Sequence, residues 1–226
     1  MLRVGLTGDL GSGKSTIAAM LAARGAKVFS SDEMARAMMS SGEKVYRQIV
    51  AHFGPDVLAA DQTLDRRKLA ALAFDPAHPR IAELNAIVHP AVIAAQAEQF
   101  AALAKTHTIA VVESALLFSA RASADQKPWN ERFDRILLVT ATEHDKIARF
   151  VERVAQGRKL SSAERSAAEA DAKRRLRVQH QTAEHAAECF VLHNDGSLAE
   201  LEPQVEAAWH QLVQLERATW QGTPLL

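Results

Sequence analysis

The sequence predicts an α/β fold, a doubly wound parallel sheet with a helical insertion and a lid. Three observations predict it. Short apolar runs of strand length, from Leu2 to Thr7, Thr108 to Glu113 and Arg135 to Thr140, recur between segments of helical periodicity. The glycine-rich run Gly8-Asp9-Leu10-Gly11-Ser12-Gly13-Lys14-Ser15 stands between the first strand and the first helix. Residues 33–105 read as almost wholly helical and lie between two strands.

Leu2 to Thr7 is a short buried strand, and Lys14 to Arg24 places Ile17, Leu21 and several alanines at helical spacing before Gly25 stops the helix. Lys27 to Ser30 is a second strand. Asp32 follows its carboxyl end, where open α/β sheets gather ligand-binding groups. The helical stretch is expected to break at Gly54-Pro55, at Asp75-Pro76 with Pro79, and at His89-Pro90. The runs ending at Glu113 and Thr140 read as central parallel strands. Past Thr142 come a helix bearing Arg149 and Arg153, the breaker-rich segment from Gln156 to Ser162, and a charged helix from Ala163 to His185. A lid is expected at about 154–175. Cys189 to Leu192 is the last strand, Asn194-Asp195-Gly196 a turn, and Leu198 to Arg217 a closing helix. The expected division is a nucleotide-binding core of residues 1–32 and 106–226, with residues 33–105 as a helical domain.

With 226 residues, 48% of them hydrophobic, the chain is long enough for one compact unit with insertions. Basic and acidic residues balance at 27 each, so no overall field draws it to nucleic acid or to an anionic membrane, and neither partner is expected. The single cysteine, Cys189, excludes an internal disulfide framework and a Cys-rich zinc site, and fits a reducing, cytoplasmic compartment. Met1 to Thr7 is too short and too soon interrupted by Gly5 for a secretory signal, and no apolar run reaches membrane-spanning length. Nothing in the pattern marks a contact surface, and a monomer is the expectation.

Gly8, Gly13, Lys14 and Ser15 satisfy G-x-x-x-x-G-K-[ST] in the context its chemistry needs, after a strand and before a helix. The glycines let successive N–H groups, from Gly11, Ser12, Gly13, Lys14, Ser15 and Thr16, converge on phosphate oxygens at the positive end of the helix. Lys14 is expected between the β- and γ-phosphates and the Ser15 hydroxyl on Mg²⁺, which arrives with the nucleotide. The loop therefore predicts a nucleoside triphosphate site, with ATP as the expected ligand. A glycine-rich turn at a helix start is the plain alternative.

Phosphoryl transfer also needs a group that orients or deprotonates an acceptor hydroxyl. Asp32 is the candidate, against the alternative that it caps the helix beginning at Glu33. Glu113, at the end of the next apolar strand, is a candidate for holding Mg²⁺ or its waters, or else a structural strand-end carboxylate. From Lys146 to Arg177 the chain carries ten Lys/Arg against four Asp/Glu, a local excess of six in a neutral protein. Arg149 and Arg153, four apart on one helix face, are candidates for neutralising charge in the transition state. Arg158, Lys173 and Arg174 read as a solvated face.

These residues resemble the dephospho-coenzyme A kinase family, a branch of the P-loop kinases, over nearly the whole chain. Val4-Gly5-Leu6-Thr7-Gly8 running into Gly11-Ser12-Gly13-Lys14-Ser15-Thr16 is similar to the family's first motif, with Asp9 where a second glycine is usual. Ser30-Ser31-Asp32 with Ala35-Arg36 resembles its Asp-Ala-Asp with Ala-Arg; Asp32 stands for the expected base and Ser30 replaces the first aspartate. Phe53-Gly54, Leu64-Asp65-Arg66 and Ile87-Val88-His89-Pro90 follow in the family's order, through an insertion that forms its acceptor-binding domain. Leu116-Leu117-Phe118 matches the core of Pro-Leu-Leu-Phe-Glu, but Ala115 and Ser119 replace the outer residues, so the glutamate of that motif is lacking here. Arg149 and Arg153 fit the paired arginines before a lid somewhat longer than usual, Arg175 and Gln179 the Arg-x-x-x-Gln after it, and Asn194-Asp195-Gly196 the closing Asn-x-Gly.

The resemblance implies a P-loop kinase fold, ATP as donor, and the ribose 3′-hydroxyl of dephospho-coenzyme A as acceptor, in the last step of coenzyme A biosynthesis. It implies acceptor contacts at Arg66, His89 and Leu116 and a nucleotide contact at Asn194. Taken alone, Leu64-Asp65-Arg66 is as well explained as a helix start and His89-Pro90 as a helix break. The competing functions are another small-molecule or nucleoside monophosphate kinase, a coenzyme A-binding sensor without catalysis, and a nucleotide switch, which would usually carry a guanine-reading Asn-Lys-x-Asp that is lacking here.

Overall fold

Strand β1, Leu2–Gly8, is buried at every position but Arg3, as a strand covered on both faces must be. The computed structural model describes residues 1–75, 77–106, 108–118, 128–178 and 184–220. In it β1 lies third in a five-stranded sheet with β2 (Lys27–Ser30), β3 (Ile109–Glu113), β4 (Arg135–Thr140) and β5 (Phe190–His193), in the order β2-β3-β1-β4-β5. β1 runs parallel to β3 and β4, with Leu6 opposite Glu113 and Gly8 opposite Val139, and β4 runs parallel to β5. The chain reverses its direction of winding at β1, and such a switch point opens a crevice at the carboxyl ends of the strands.

Helix α1 (Lys14–Ala23) and the closing helix, Leu198–Trp220, cover the sheet. Ile17 and Leu21 of the first, and Leu201, Val205, Ala208 and Leu212 of the second, pack with Leu2, Val4, Leu6, Val111 and Leu137. Each large side chain buried this completely contributes about 1.5–3 kcal/mol, so this cluster holds the sheet's frame rigid beneath the loop after β1.

The chain divides into two compact units. The described residues of the first fall within Met1–Val28, Leu103–Ser119 and Trp129–Leu226, and those of the second mainly within Phe29–Ala102. Asp32 therefore belongs to the helical unit, whose start lies at Phe29 rather than at residue 33. That unit comprises α2 (Ser31–Met38), α3 (Lys44–Phe53), α4 (Arg66–Ala73) and α5 (Ile81–Leu103), around Val45, Ile49, Phe53, Val57, Leu69, Val88 and Val92.

The expected break at His89-Pro90 does not occur, because α5 runs through Pro90 without interruption. Proline in a helix interior costs about 3 kcal/mol through its missing N–H and its ring. Val88 and Val92 on either side of it are both buried in the unit's core. At about 1.5–3 kcal/mol each, they offset that cost and keep both halves of the helix in place.

In the first unit, α6 (Trp129–Arg132) leads into β4, and α7 (Glu143–Ala155) and α8 (Ser162–Val178) follow it. Thr142 caps α7 by accepting a hydrogen bond from the Asp145 N–H, and Gln156 and Gly157, both at positive φ, turn the chain toward α8. The predicted charged helix was expected to reach His185; Gln179 and Ser119, two positions of the family resemblance, lie outside the described residues. The closing helix is α9.

Candidate phosphate site

Among the described residues four helices start with a side-chain cap, α2 on Ser30, α4 on Asp65, α7 on Thr142 and α8 on Ser161, whose hydroxyl accepts from the Glu164 N–H at 3.2 Å, while α3 after Glu43 has none. α1 starts on Gly13, which is in the left-handed conformation and has no side chain to cap with. A helix start without a cap leaves backbone N–H groups for a ligand, and the macrodipole makes that ligand an anion. The N–H groups of Gly11, Gly13 and Ser15 make no hydrogen bond among the described residues.

Side-chain donors occupy the loop's carbonyls. Lys14 Nζ donates to the carbonyl oxygens of Gly8 at 2.9 Å and Asp9 at 3.0 Å. Arg149 Nη1 reaches the Gly11 carbonyl at 3.4 Å, and Asn194 Nδ2 donates to the Ser12 carbonyl at 2.8 Å. Arg149 Nη2 also donates to the Asn194 carbonyl at 2.8 Å, and the Asn194 N–H to Thr140 at the end of β4, also at 2.8 Å. With its carbonyls drawn aside, the loop presents N–H groups toward the ligand side, as an anion cradle requires.

Sterics fix the same arrangement. Gly11 has φ 73° and Gly13 φ 94°. A Cβ on Gly11 would strike the Lys146 backbone carbonyl, and one on Gly13 the Asn194 amide. Ser12 is fully buried and its hydroxyl has no partner among the described residues, nor has the buried Thr7 hydroxyl one residue before Gly8. Ser15 and Thr16, in the first turn of α1, are exposed.

Glu113 ends β3 beside β1, half-buried, with the Ser114 N–H donating to the Leu6 carbonyl at 3.0 Å. Ser15 and Glu113 thus supply one hydroxyl and one carboxylate on elements flanking the loop. That donor set fits Mg²⁺ brought in with a polyphosphate, an ion that takes few protein oxygens and keeps phosphate and water ligands.

Arg149 sits against the loop. Arg153 is exposed and lies over the Phe150 ring at 5.4 Å, while Arg175 lies 5.5 Å from the same ring and pairs with Asp171 at 2.9 Å. Phe150, Val151, Ala168 and Ala172 form the contact between α7 and α8, and Leu10 of the loop packs against them. The segment expected as a lid is therefore seated on the phosphate loop through an apolar side chain.

Leu116, 42% exposed, follows β3, while Leu117 beneath it is buried at 2% and fills the space beside Gly5. The remaining candidates belong to the helical unit. Asp32 lies exposed in the first turn of α2, and it is not the cap, since Ser30 Oγ accepts from the Glu33 N–H at 3.3 Å. Next to it, Ser31 is buried and accepts from Gln96 Nε2 of α5 at 3.0 Å. Arg66 is exposed just after Asp65, whose carboxylate caps α4 through the N–H groups of Arg67 and Lys68. His89 is half-buried within α5.

Sequence reasoning missed three residues. Lys146 binds Asp9 Oδ2 through Nζ at 2.5 Å; its spacing of three and seven from Arg149 and Arg153 was a usable signal. Gln96, which fixes Ser31, left no signal in an alanine-rich helix. Ser30 as the cap was legible from its place three residues before Glu33.

A family model described as dephospho-CoA kinase matches residues 2–200. Relatives named dephospho-CoA kinase include that of Geobacillus kaustophilus, 35% identical, covering 96% of this chain and 99% of its own. That of Leifsonia xyli subsp. xyli is 38% identical, covering 92% and 98%. The solved structure of Thermus thermophilus TT1252 matches with TM-score 0.69 at 31% identity, covering 93% of this chain and 97% of its own. Dephospho-CoA kinase from Campylobacter jejuni matches in fold with TM-score 0.64 at 21% identity, covering 94% and 97%.

Proposed function

The chain belongs to the dephospho-CoA kinase family, and we propose that it transfers the γ-phosphate of ATP to the ribose 3′-hydroxyl of dephospho-coenzyme A, giving coenzyme A and ADP. The observation that carries this reading is the uncapped start of α1, with the loop's carbonyls drawn aside and Lys14 at its base. ATP binding moves the Lys14 ammonium from the Gly8 and Asp9 carbonyls to the β- and γ-phosphates, while the N–H groups of Gly11, Gly13 and Ser15 hold the phosphate oxygens; those of Ser12 and Thr16, also expected as donors, are engaged by the Asp9 and Gly13 carbonyls. Arg149, beside the loop, and Arg153, one turn on, offset the charge that spreads over the transferring group.

Asp32 acts as the base that accepts the hydroxyl proton. Its carboxylate is exposed and free of capping duty, and Ser31 beside it is anchored to α5. Arg66, His89 and Leu116 contact the acceptor, the helical unit is the acceptor-binding domain, and residues 154–175 act as a lid. Ser15 and Glu113 would hold Mg²⁺, which would supply charge neutralisation to the polyphosphate. A cytoplasmic location is in keeping with the lone Cys189; among the described residues no helix is long and apolar enough to cross a membrane.

The test is steady-state ADP release with and without dephospho-coenzyme A, alongside a panel of nucleoside monophosphates and small alcohols. Acceptor-dependent ADP release with dephospho-coenzyme A preferred is expected. Preference for another acceptor overturns the assignment, and tight acceptor binding without transfer indicates a sensor.

A further inference from the structure

We infer that Lys146 is a charge-compensating positioning residue of the phosphate site, which holds the Asp9 carboxylate and so sets the affinity of the loop for polyphosphate. The inference rests on the loop being an ATP site, as proposed above.

Asp9 places a fixed negative charge inside a loop whose remaining chemistry attracts anions. Left uncompensated, a carboxylate at that position repels a triphosphate and competes for the Lys14 ammonium, whose nitrogen already lies 3.0 Å from the Asp9 carbonyl. Lys146 Nζ meets Asp9 Oδ2 at 2.5 Å, and the two side chains are only 14% and 21% exposed. Such a pair is screened far less by salt and water than the pairs on the surface of this chain, such as Arg158 with Glu164, at 59% and 47%.

The backbone of Lys146 is equally committed, since its carbonyl occupies the space where a Cβ on Gly11 would stand. Lys146 thus bears on the loop at two points, one residue on either side of Leu10. Leu10 itself packs into the contact between α7 and α8. Three residues further along α7, Arg149 donates to the Gly11 carbonyl. The first turns of α7 are therefore built against the loop, with Lys146 as the member that answers its only acidic side chain.

A charge role and a bracing role predict opposite things. If the pair only braced the loop, breaking it from either side would weaken nucleotide binding alike. If Lys146 offsets the charge of Asp9, the two single variants move affinity in opposite directions. Lys146→Met leaves Asp9 facing the phosphates and weakens binding of ATP and ADP by about tenfold. Asp9→Asn leaves an extra cation beside the phosphates and tightens it by roughly threefold or more.

The experiment measures ADP and non-hydrolysable ATP binding by calorimetry for the full chain, for Lys146→Met, for Asp9→Asn and for the double variant, with thermal melts to establish folding. The expected result is opposite signs in the singles, a double variant within about threefold of the parent, and a Lys146→Met defect that shrinks as salt rises. Lys146→Arg, which keeps the charge, is expected to retain affinity. Weakening in both singles, or a double variant as poor as Lys146→Met, overturns the inference, as does an unchanged Kd in Lys146→Met. Should Lys146→Met melt out, the sign of the Asp9→Asn effect still decides between the two roles. Because the readout is nucleotide binding, a wrong acceptor assignment would appear separately, as absent dephospho-coenzyme A-dependent turnover in the unmodified chain.

Discussion

Asn194→Ala isolates one hydrogen bond on which the phosphate loop depends. The Asn194 amide donates to the Ser12 carbonyl at 2.8 Å, and both residues are buried, Ser12 completely. Truncation leaves that carbonyl without its donor in a place water does not reach, at a cost of about 1–3 kcal/mol. If the loop keeps its shape, the loss appears in global stability, and about 2 kcal/mol lowers Tm by roughly 4–8 °C for a chain of this size. If the loop opens locally to let water in, the melt changes little, and the same 2 kcal/mol appears as roughly 30-fold weaker ADP binding.

Thermal melts with and without saturating ADP, together with calorimetric ADP titration, separate the two outcomes. One of them must register the loss. An unchanged melt combined with unchanged ADP affinity would refute the argument that Asn194 shapes the cradle from behind. A loss confined to base discrimination, with ADP and GDP affinities diverging from those of the parent, would instead assign Asn194 to the adenine.

Asp32→Asn keeps the size and exposure of the side chain but removes the basic lone pair; turnover is expected to fall by about 10²–10⁴ with ATP affinity retained, and full turnover would remove Asp32 from the proposed role. Pro90→Ala restores an N–H in the middle of α5, where proline costs about 3 kcal/mol relative to alanine, against roughly 1 kcal/mol of added unfolded-state freedom. Urea denaturation should show a gain of about 2 kcal/mol, and no gain would mean the proline ring contributes packing of the same size. Arg80, foremost, and His52 hold the Glu83 carboxyl down at about 2 from its ordinary 4.5. This acid is depressed in the folded state, so its contribution is present above pH 4.5 and is lost as pH falls toward 2. Glu83→Gln should flatten the pH–stability curve in that window, less so in high salt, and an identical acid limb in both proteins would show that the cluster adds nothing measurable.

What the sequence shows easily is what local chemistry decides. The Gly8 to Ser15 loop was legible because its glycines, lysine and serine must sit at fixed spacing between a strand and a helix, and the five strands because apolar runs that short, set between helical segments, have few other uses. Pro90 was misread because breaking a helix is a local tendency, whereas Val88 and Val92 oppose it through a core assembled from residues 45 to 92. Asp32 was weighed as a cap, yet the capping oxygen comes from Ser30, two residues earlier, and an offset that small lies within the ordinary uncertainty of a helix boundary. The spacing along α7 points to Lys146 and the family resemblance to Asn194, but their pairings with Asp9 and Ser12 span 137 and 182 residues, and no spacing rule says which loop atom each one meets.

The local excess of positive charge from Lys146 onward divides once its partners are known. Arg158 pairs with Glu164, and Arg174 and Arg175 with Asp171, on exposed surface where such pairs contribute little beyond solubility. Lys146 and Arg149, three apart on α7, turn instead to Asp9, Gly11 and Asn194. The cationic stretch is therefore not one uniform field: Arg158, Arg174 and Arg175 are engaged by nearby acids, while Lys146 and Arg149 at its start bear on the loop. A triphosphate entering this site meets Lys14, whose ammonium can exchange the Gly8 and Asp9 carbonyls for phosphate oxygens, beside cations such as Lys146 and Arg149 that also keep the loop in shape. Affinity in such a site depends as much on how firmly the frame holds the carbonyls aside as on the number of cations near it.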